Sequence, residues 1–420
     1  MKLGLQKLAG RVLLSGCLLG SLAANVLAED WTEYRGPTHD SVSKETIAPW
    51  TSEPKLLWKV KMGEGFGTYA VVGNQAFLTC ETGGKEACIA LDVKTGATLW
   101  TTPLGKTIFE KQGGNGPRST PAVDGDLVYV LGTYMTIACM NKSDGKMVWG
   151  HDFTAEYKSE GNTTSGIKAW GSAASPVIDG DLIFVVSGAP KGSLMAFNKK
   201  TGKGVWATGN EKLTHASPAI ATIHGIRQVI FFVQSGLVSC DVATGKELWR
   251  YAFPFSISTA ASPIVFEDIV YCSAGYGVGA GAAKISKAGN GLAATELWRT
   301  KGQNINHWST PVCKDGYLYG LYGFKEYGTE PLKCLDIRTG KVLWSHDGFG
   351  QGGAQLVGDK LIVQGDAGQI VMVQASPEGY KELGRTKPFD GKCWNMPVVS
   401  GGKLFARTTK EAACLDVSGK

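Results

Sequence analysis

The side chains of this chain best suited to bind or transform a small molecule fall at one recurring position. It lies three residues before the Pro of a repeated Ser-Pro or Thr-Pro phrase, or before the equivalent residue, and its occupants are Phe66, Arg118, Ala173, His215, Ala260, Trp308, Gln351 and Trp394. Neighbouring positions add Asn115, Trp170, His307 and Asn395. Together they offer aromatic faces, one fixed cation, imidazoles and amides. Such a set suits a planar anion that stacks on indole and pairs with a guanidinium, or a sugar.

Seven of these residues are the candidate cofactor- or ligand-binding residues: Arg118, Trp170, His215, His307, Trp308, Trp394 and Asn395. Three interpretations stay open. The residues plug a channel by bonding to one another, bind a ligand without chemistry, or support a redox reaction. The spacing assigns no catalytic residue. His215 and His307 lie two repeats apart without a carboxylate triad, so no metal site is predicted.

A repeated unit sets these positions. The phrase ALDVKTGATLW ends at Trp100, and near-copies end at Trp149, Trp206, Trp249 and Trp344. A second phrase, such as STPAVDGDLVYV (119–130), precedes each copy. Each unit reads as two strands around an Asp-Gly type turn, then two strands around a Thr-Gly turn. Four strands in a period of roughly 41 to 57 residues are typical of a β-propeller blade.

The count of units predicts an all-β fold, a single propeller of eight four-stranded antiparallel blades. The last unit stops in its third strand, at ACLDVSGK (413–420), and an unassigned fourth strand, PKLLWKV (54–60), lies near the other end. We therefore expect the N-terminal strand to complete the C-terminal blade, which removes free sheet edges. The blade that ends near Arg385 lacks the repeated Trp, and we expect it to be the least regular.

The residues of the repeated phrase have structural roles. Gly supplies the positive φ of the turn, and the Asp, or an Asn in its place, can cap the turn backbone. The Trp is expected to wedge against the next blade, where its N–H needs one acceptor and the small residue of the phrase leaves room.

The first 28 residues predict export. Lys2, Lys7 and Arg11 precede the apolar stretch VLLSGCLLGSLAANVLA, which is short for a membrane span and typical of a secretory signal. Cleavage after Ala28 is one route. Lipidation is the other, because LSGC (14–17) resembles a lipobox that would make Cys17 a membrane anchor. The predicted organisation is a signal peptide at 1–28, an extended arm at 29–53 and the propeller at 54–420.

Charge and cysteine usage limit the class of partner. The formal net charge is +6, and loss of the signal would leave +3, too little for a nucleic acid or anionic membrane partner. Cys139, Cys334 and Cys414 occupy the small-residue position of separate repeats, which should be too far apart to bridge, and we interpret most of the ten cysteines as small buried apolar residues. Cys80 and Cys88 flank one predicted hairpin turn, so a cross-strand disulfide stays open there.

The phrase A-x-D-x-x-T-G-x-x-x-W resembles the tryptophan-docking motif of pyrroloquinoline quinone (PQQ) propellers, over roughly residues 54 to 420. That family includes quinoprotein alcohol dehydrogenases, the propeller lipoprotein of the outer-membrane barrel-assembly machinery and secreted PQQ-like repeat proteins. The segment DWTEYRGPTHDSVS (30–43) is most similar to the third group, and we expect it to pack on the outside of the propeller. The chain lacks the adjacent cysteine pair of the dehydrogenases and any Cys-x-x-Cys-His motif for haem.

The resemblance and the candidate residues predict an exported cell-envelope binding or scaffold protein, a monomer in the periplasm or outside the cell. Its partner, at the mouth of the central channel, would be a protein, peptide or glycan. The alternative is a PQQ-dependent oxidoreductase of alcohols or sugars, for which the resemblance implies PQQ with calcium.

Overall fold

The computed structural model describes residue 1 and residues 29–111, 113–159, 170–323 and 330–419. The predicted signal and Cys17 fall on residues outside this description. Two strands precede the blades, β1 (Val42–Ser43) and β2 (Lys55–Lys61). Among the described helices, none has the length and apolar character needed to span a bilayer.

The first four blades are each a four-stranded sheet in chain order. Blades one and two comprise β3 (Ala70–Val72), β4 (Gln75–Thr82), β5 (Lys85–Asp92) and β6 (Thr98–Lys106), then β7 (Ala122–Asp124), β8 (Leu127–Leu131), β9 (Thr136–Asn141) and β10 (Met147–Asp152). The short helix α1 (Phe153–Tyr157) follows. Blades three and four comprise β11 (Val177–Asp179), β12 (Leu182–Val186), β13 (Leu194–Asn198) and β14 (Gly204–Thr208), then β15 (Ala219–Ile223), β16 (Ile226–Val233), β17 (Gly236–Asp241) and β18 (Glu247–Ala252).

The remaining blades repeat this order. Blades five and six comprise β19 (Ile264–Phe266), β20 (Ile269–Ala274), β21 (Gly279–Ala288) and β22 (Gly291–Lys301), then β23 (Val312–Lys314), β24 (Tyr317–Leu321), β25 (Leu332–Asp336) and β26 (Val342–His346). Blades seven and eight comprise β27 (Gly352–Val357), β28 (Lys360–Gly365), β29 (Ile370–Gln374) and β30 (Glu382–Thr386), then β31 (Val398–Ser400), β32 (Lys403–Arg407) and β33 (Glu411–Asp416).

The predicted closure of the ring is confirmed. Strand β2 pairs antiparallel with β33, with Trp58 opposite Cys414, so the start of the propeller supplies the fourth strand of blade eight. Within each blade the first strand is innermost, and the first strands of successive blades lie side by side around a central channel. Apolar clusters fill the spaces between blades.

The repeated Trp docks one blade onto the next, as the sequence predicts. Trp58 donates its indole N–H to the carbonyl of Val93 in blade one at 2.9 Å, and Trp100, Trp149, Trp206, Trp298 and Trp344 make the equivalent bond. A Cβ added to Gly96, whose φ is +72°, would lie 2.7 Å from the Trp58 ring. The turn therefore needs glycine both for its backbone and for the space that the indole takes. Asp92 caps the same turn, since its carboxylate accepts the amide N–H groups of Lys94 and Thr95.

Trp249 departs from this pattern. Its indole N–H donates to Gln228 Oε1 of its own blade at 2.6 Å. Blade five has no Thr-Gly turn to receive it, because the long hairpin of β21 and β22 takes that place.

The expectation that the Trp-less blade is the least regular is wrong. In blade seven β27 to β30 pair as in the other blades, and β1 adds a fifth, parallel strand. Arm residues fill the space of the missing indole. Ile47 and Trp50 pack with Leu383 of blade seven and Val417 of blade eight in one apolar cluster.

The Cys80–Cys88 disulfide is not formed, and each of the nine cysteines in the described residues is a free thiol. Cys80 pairs across the strands with Ala87, and Cys88 pairs with Thr79. Adjacent cross-strand positions point to opposite faces of a sheet. The two thiols accordingly lie in different apolar clusters, with Trp58 and with Val123.

Residues 30–43 of the arm lie inside the channel, so the predicted position of this segment on the outside is wrong. Trp31 exchanges two 2.7 Å backbone hydrogen bonds with Val71 of blade one, and Arg35 donates to the carbonyl of Pro263 in blade five. Strand β1 then pairs with β27 of blade seven. Trp31 is 0% exposed, and Arg35 is also buried. The arm folds inward because the channel supplies backbone partners and apolar cover for these large side chains.

A belt of hydroxyl groups links the blades just above the arm. The amide N–H of Thr68 donates to Thr120 Oγ1, that of Thr120 to Ser175 Oγ, and that of Ser175 to Ser217 Oγ, at 2.8 to 3.0 Å. Each hydroxyl belongs to the Ser or Thr of the Ser-Pro or Thr-Pro phrase or its equivalent. This phrase therefore joins neighbouring blades around the channel.

Candidate functional site

The mouth of the channel, where the inner strands begin, holds a cavity of about 480 Å³ that we call the cup. The loops that enter the inner strands form its wall, and the arm forms its floor. The wall residues used below are Phe66, Glu110, Gly113, Arg118, Trp170, His215, Tyr276, His307, Trp308, Ser309, Trp394 and Asn395, and the floor residues are Tyr34 and Ser41.

Two indoles dominate one side of the cup. The rings of Trp308 and Trp394 stack with centroids 4.8 Å apart and planes 12° apart. Phe66 lies 5.8 Å from Trp394, and His307 contacts the edge of Trp308 at 5.1 Å. Both indoles are half-buried. Such faces can pack against the flat apolar side of a ligand.

The single arginine of the cup is already paired. Arg118 donates to a carboxylate oxygen of Glu110 at 3.2 Å and to the carbonyls of Gly114 and Gly116, at 3.0 and 2.9 Å. Its guanidinium also lies 5.0 Å from the ring of Phe66. Burial lowers the pKa of Arg118 to about 10, against the opposing effect of Glu110. The cation is therefore neutralised locally and held in one position.

The other basic groups described here are an imidazole in the cup and a lysine at its rim. Burial, with a smaller effect of Arg118, lowers the pKa of His215 to about 4, so the imidazole is neutral at physiological pH. At the rim Lys392 Nζ lies 4.1 Å from the Trp394 ring and donates to the carbonyl of Gly113 at 2.7 Å. Burial lowers the pKa of Lys392 as well.

Three buried polar atoms of the cup have no hydrogen-bond partner: Asn395 Nδ2, His215 Nδ1 and Ser309 Oγ. The orientation of the Asn395 amide is fixed, because its oxygen accepts a 2.9 Å bond from Gln364 Nε2. Its NH₂ group is therefore a hydrogen-bond donor in the wall of the cup. Buried polar groups in folded proteins normally have partners, so these atoms mark a place where a ligand can bind.

The structure places all seven predicted residues around this one cavity; their binding role stays a prediction. One position of the predicted ring, Gln351, and one neighbouring position, Asn115, do not line it. Gln351 donates to Glu330, and Asn115 accepts the amide N–H of Glu110 at 3.0 Å. Both therefore support the loops of the mouth.

Sequence reasoning missed the floor and the carboxylate. Tyr34 and Ser41 belong to the arm, which has no repeat to align. Glu110 precedes a glycine-rich stretch, GGNG (113–116), and its carboxylate accepts the amide N–H groups of Gly113 and Gly114. The sequence signal that could have identified Glu110 is an acidic residue shortly before a glycine-rich stretch that is followed by Arg118.

Comparison with protein families gives one match. The family model described as "Outer membrane protein assembly factor BamB" matches residues 84–320, more than half of the chain.

Individual relatives agree with this match. Outer membrane protein assembly factor BamB of Shewanella oneidensis is 24% identical over 62% of this chain and 67% of its own length. The protein of the same name from Burkholderia pseudomallei is 25% identical over 74% of this chain and 85% of its own length. Among solved structures, quinohemoprotein alcohol dehydrogenase from Comamonas testosteroni superimposes with a TM-score of 0.63 at 12% identity, covering 94% of this chain and 82% of that one. At that identity the likeness establishes the fold alone.

Proposed function

Because the chain belongs to the family of outer membrane protein assembly factor BamB, we propose that it is an exported binding protein of the cell envelope that holds its partner in the cup. Family membership supports an envelope binding or scaffold role. The observation that carries the finer proposal is the cup itself, a cavity of about 480 Å³ with half-buried indoles above a floor that the chain supplies. Cavities of this size with aromatic walls and few polar groups are typical ligand sites.

The residues of the cup do not fit PQQ with calcium. Trp308 and Trp394 stack on each other, so a quinone could not enter between them without parting the rings. Arg118, the expected counter-ion for a tricarboxylate, is already bonded to Glu110. Within the described ranges, no group of three or more His, Cys, Asp or Glu side chains is arranged to hold a metal ion. We therefore assign no redox step to this site.

Photo-crosslinking in intact cell envelopes tests the proposed function. Benzoylphenylalanine is placed at Trp308 in the cup and, as a control, at Leu343, an exposed residue of the outer strand β26. We expect a discrete crosslinked product from position 308 and none from position 343, because the partner occupies the channel mouth and not the outer strands of the propeller.

Two results would overturn this function. One is a product from position 343 with none from position 308, which would mean that the partner binds the outer strands of the propeller. The other is dye reduction by the purified protein with PQQ, calcium and an alcohol or sugar, which would restore the oxidoreductase alternative.

A further inference from the structure

The unpartnered atoms of the cup indicate what kind of ligand it takes. Asn395 Nδ2 is a donor, whereas Ser309 Oγ and the neutral His215 Nδ1 can each donate or accept. Asn395 and Ser309 are only 6% and 4% exposed, so leaving their polar atoms without a partner is costly. A ligand that satisfies all three must both donate and accept hydrogen bonds. Hydroxyl groups have this property.

The charges around the cup argue against an anionic ligand. Arg118 is bonded to Glu110 and to two carbonyls, and Lys392 is bonded to the carbonyl of Gly113. The imidazole of His215 is neutral because it is buried. An anion would have to compete with Glu110 for the guanidinium, and Glu110, Asp366 and Glu64 already interact electrostatically with Lys392, so a neutral ligand is favoured.

The wall of the cup also offers little to the main chain of a peptide. The amide N–H groups of Thr68, Thr120 and Ser175 already donate to the hydroxyl belt. Peptide capture by strand addition needs a row of free amide and carbonyl groups. The unpartnered side-chain atoms of the cup suit a compact polyhydroxylated ligand better than an extended chain.

We propose that the cup binds a neutral saccharide, with one sugar face against the indole of Trp308, which Trp394 supports from behind, and its hydroxyls bonded to Asn395, Ser309 and His215. This inference rests on the proposed function and names the chemistry of the partner. Indole offers the flat apolar surface that the C–H face of a pyranose covers, and the amide, hydroxyl and imidazole supply its hydrogen bonds. The sugar is either a free oligosaccharide or a residue of an insoluble glycan.

Calorimetric titration of the purified full-length protein tests the chemistry. The probes are maltose, cellobiose and N,N′-diacetylchitobiose, with glucuronate as the anionic comparison and a neutral tetrapeptide as the peptide comparison. We expect saturable binding of at least one disaccharide, and weaker or no binding of glucuronate and the peptide. Co-sedimentation with cellulose or chitin separates the two sources, since a glycan-surface protein also pellets with the polymer and a receptor for free sugar does not.

Two serine variants make a matched pair. Ser309→Ala and Ser262→Ala each remove one buried hydroxyl that has no partner, but only Ser309 lines the cup. We expect Ser309→Ala to weaken disaccharide binding about three- to tenfold, the effect of one neutral hydrogen bond, and Ser262→Ala to leave it unchanged. Neither substitution breaks a hydrogen bond made by its hydroxyl, so both proteins should melt like the wild type.

Equal effects of the two serine variants would overturn the saccharide assignment. Binding of the peptide or of glucuronate in preference to every disaccharide would also overturn it. The envelope-binding function would survive either result if the crosslink from position 308 is still obtained. Loss of that crosslink is the result that removes both.

Discussion

The lower channel, filled by arm residues 29–45, and the cup above it lie against the same inner strands. They differ in how far their buried polar groups are hydrogen-bonded. In the lower channel Arg35 donates to Ser41 and to a backbone carbonyl, and Glu33 contacts the imidazole of His39 at 2.5 Å. In the cup, polar atoms of Asn395 and Ser309 remain without partners. Apart from the indole N–H of Trp31, the buried side-chain polar atoms of residues 29–45 have hydrogen-bond partners within the chain.

This difference separates the part of the channel that stabilises the protein from the part that is free to bind. The side chains of residues 29–45 fill the lower channel. Their polar groups form hydrogen bonds with one another and with the blades. The cup is left with half-buried indoles and unpaired neutral groups. A substitution in the lower channel should therefore cost stability, and one in the cup should cost binding.

The largest expected contrast comes from two tryptophans. Trp31→Ala should lower the free energy of unfolding by about 3–5 kcal/mol, because a fully buried indole leaves a cavity. Trp308→Ala should cost only about 1 kcal/mol, since that ring is half-buried at the cup, but should weaken disaccharide binding about tenfold. Chemical denaturation and calorimetric titration measure the two effects. Similar stabilities of the two variants would remove the distinction between the two regions.

The imidazole of His215 in the cup should make the stability of the protein depend on pH in the acid range. His215 has a folded pKa of about 4, below its unfolded value, so the unfolded chain binds more protons between these values. The wild type should therefore lose stability as the pH falls from about 6.5 toward 4, with a contribution from His215 of about 2 kcal/mol. His215→Gln should flatten the stability curve in this window, as measured by urea denaturation at each pH. An unchanged curve would mean that water reaches the imidazole freely.

The arm should respond in the opposite direction and by less. Burial lowers the pKa of His39, but the charge and hydrogen bond of Glu33, with help from Asp179 and against Arg227, leave the pKa raised. Its stabilising effect is therefore complete below the unfolded pKa and is lost as the pH rises through the folded pKa. His39→Gln should reduce the loss of stability that occurs as the pH rises above about 6.5. The same denaturation series checks this, and a steeper loss in the variant would contradict the ion pair.

The repeats made most of the fold predictable. Blade number and closure follow from repeated phrases, each of which specifies a local turn and a docking Trp. Asp92, for example, caps the turn on which Trp58 docks. The candidate ring followed from the same alignment, since a repeated register puts equivalent residues at the same end of the channel. The arm was not predictable in this way, because its position depends on side chains of several blades far apart in sequence. The pairing of Arg118 with Glu110 depends on one loop conformation that no repeat specifies.

Hydrogen exchange of the arm tests the account most directly, because a one-ended cup exists only if the arm occupies the lower channel. The amide of Trp31 donates to Val71 O, and β1 pairs with β27. We therefore predict that amides of residues 31–43 with backbone partners exchange as slowly as those of the inner strands. Exchange of this segment at the rate of an unstructured peptide, while the blades stay protected, would contradict the account.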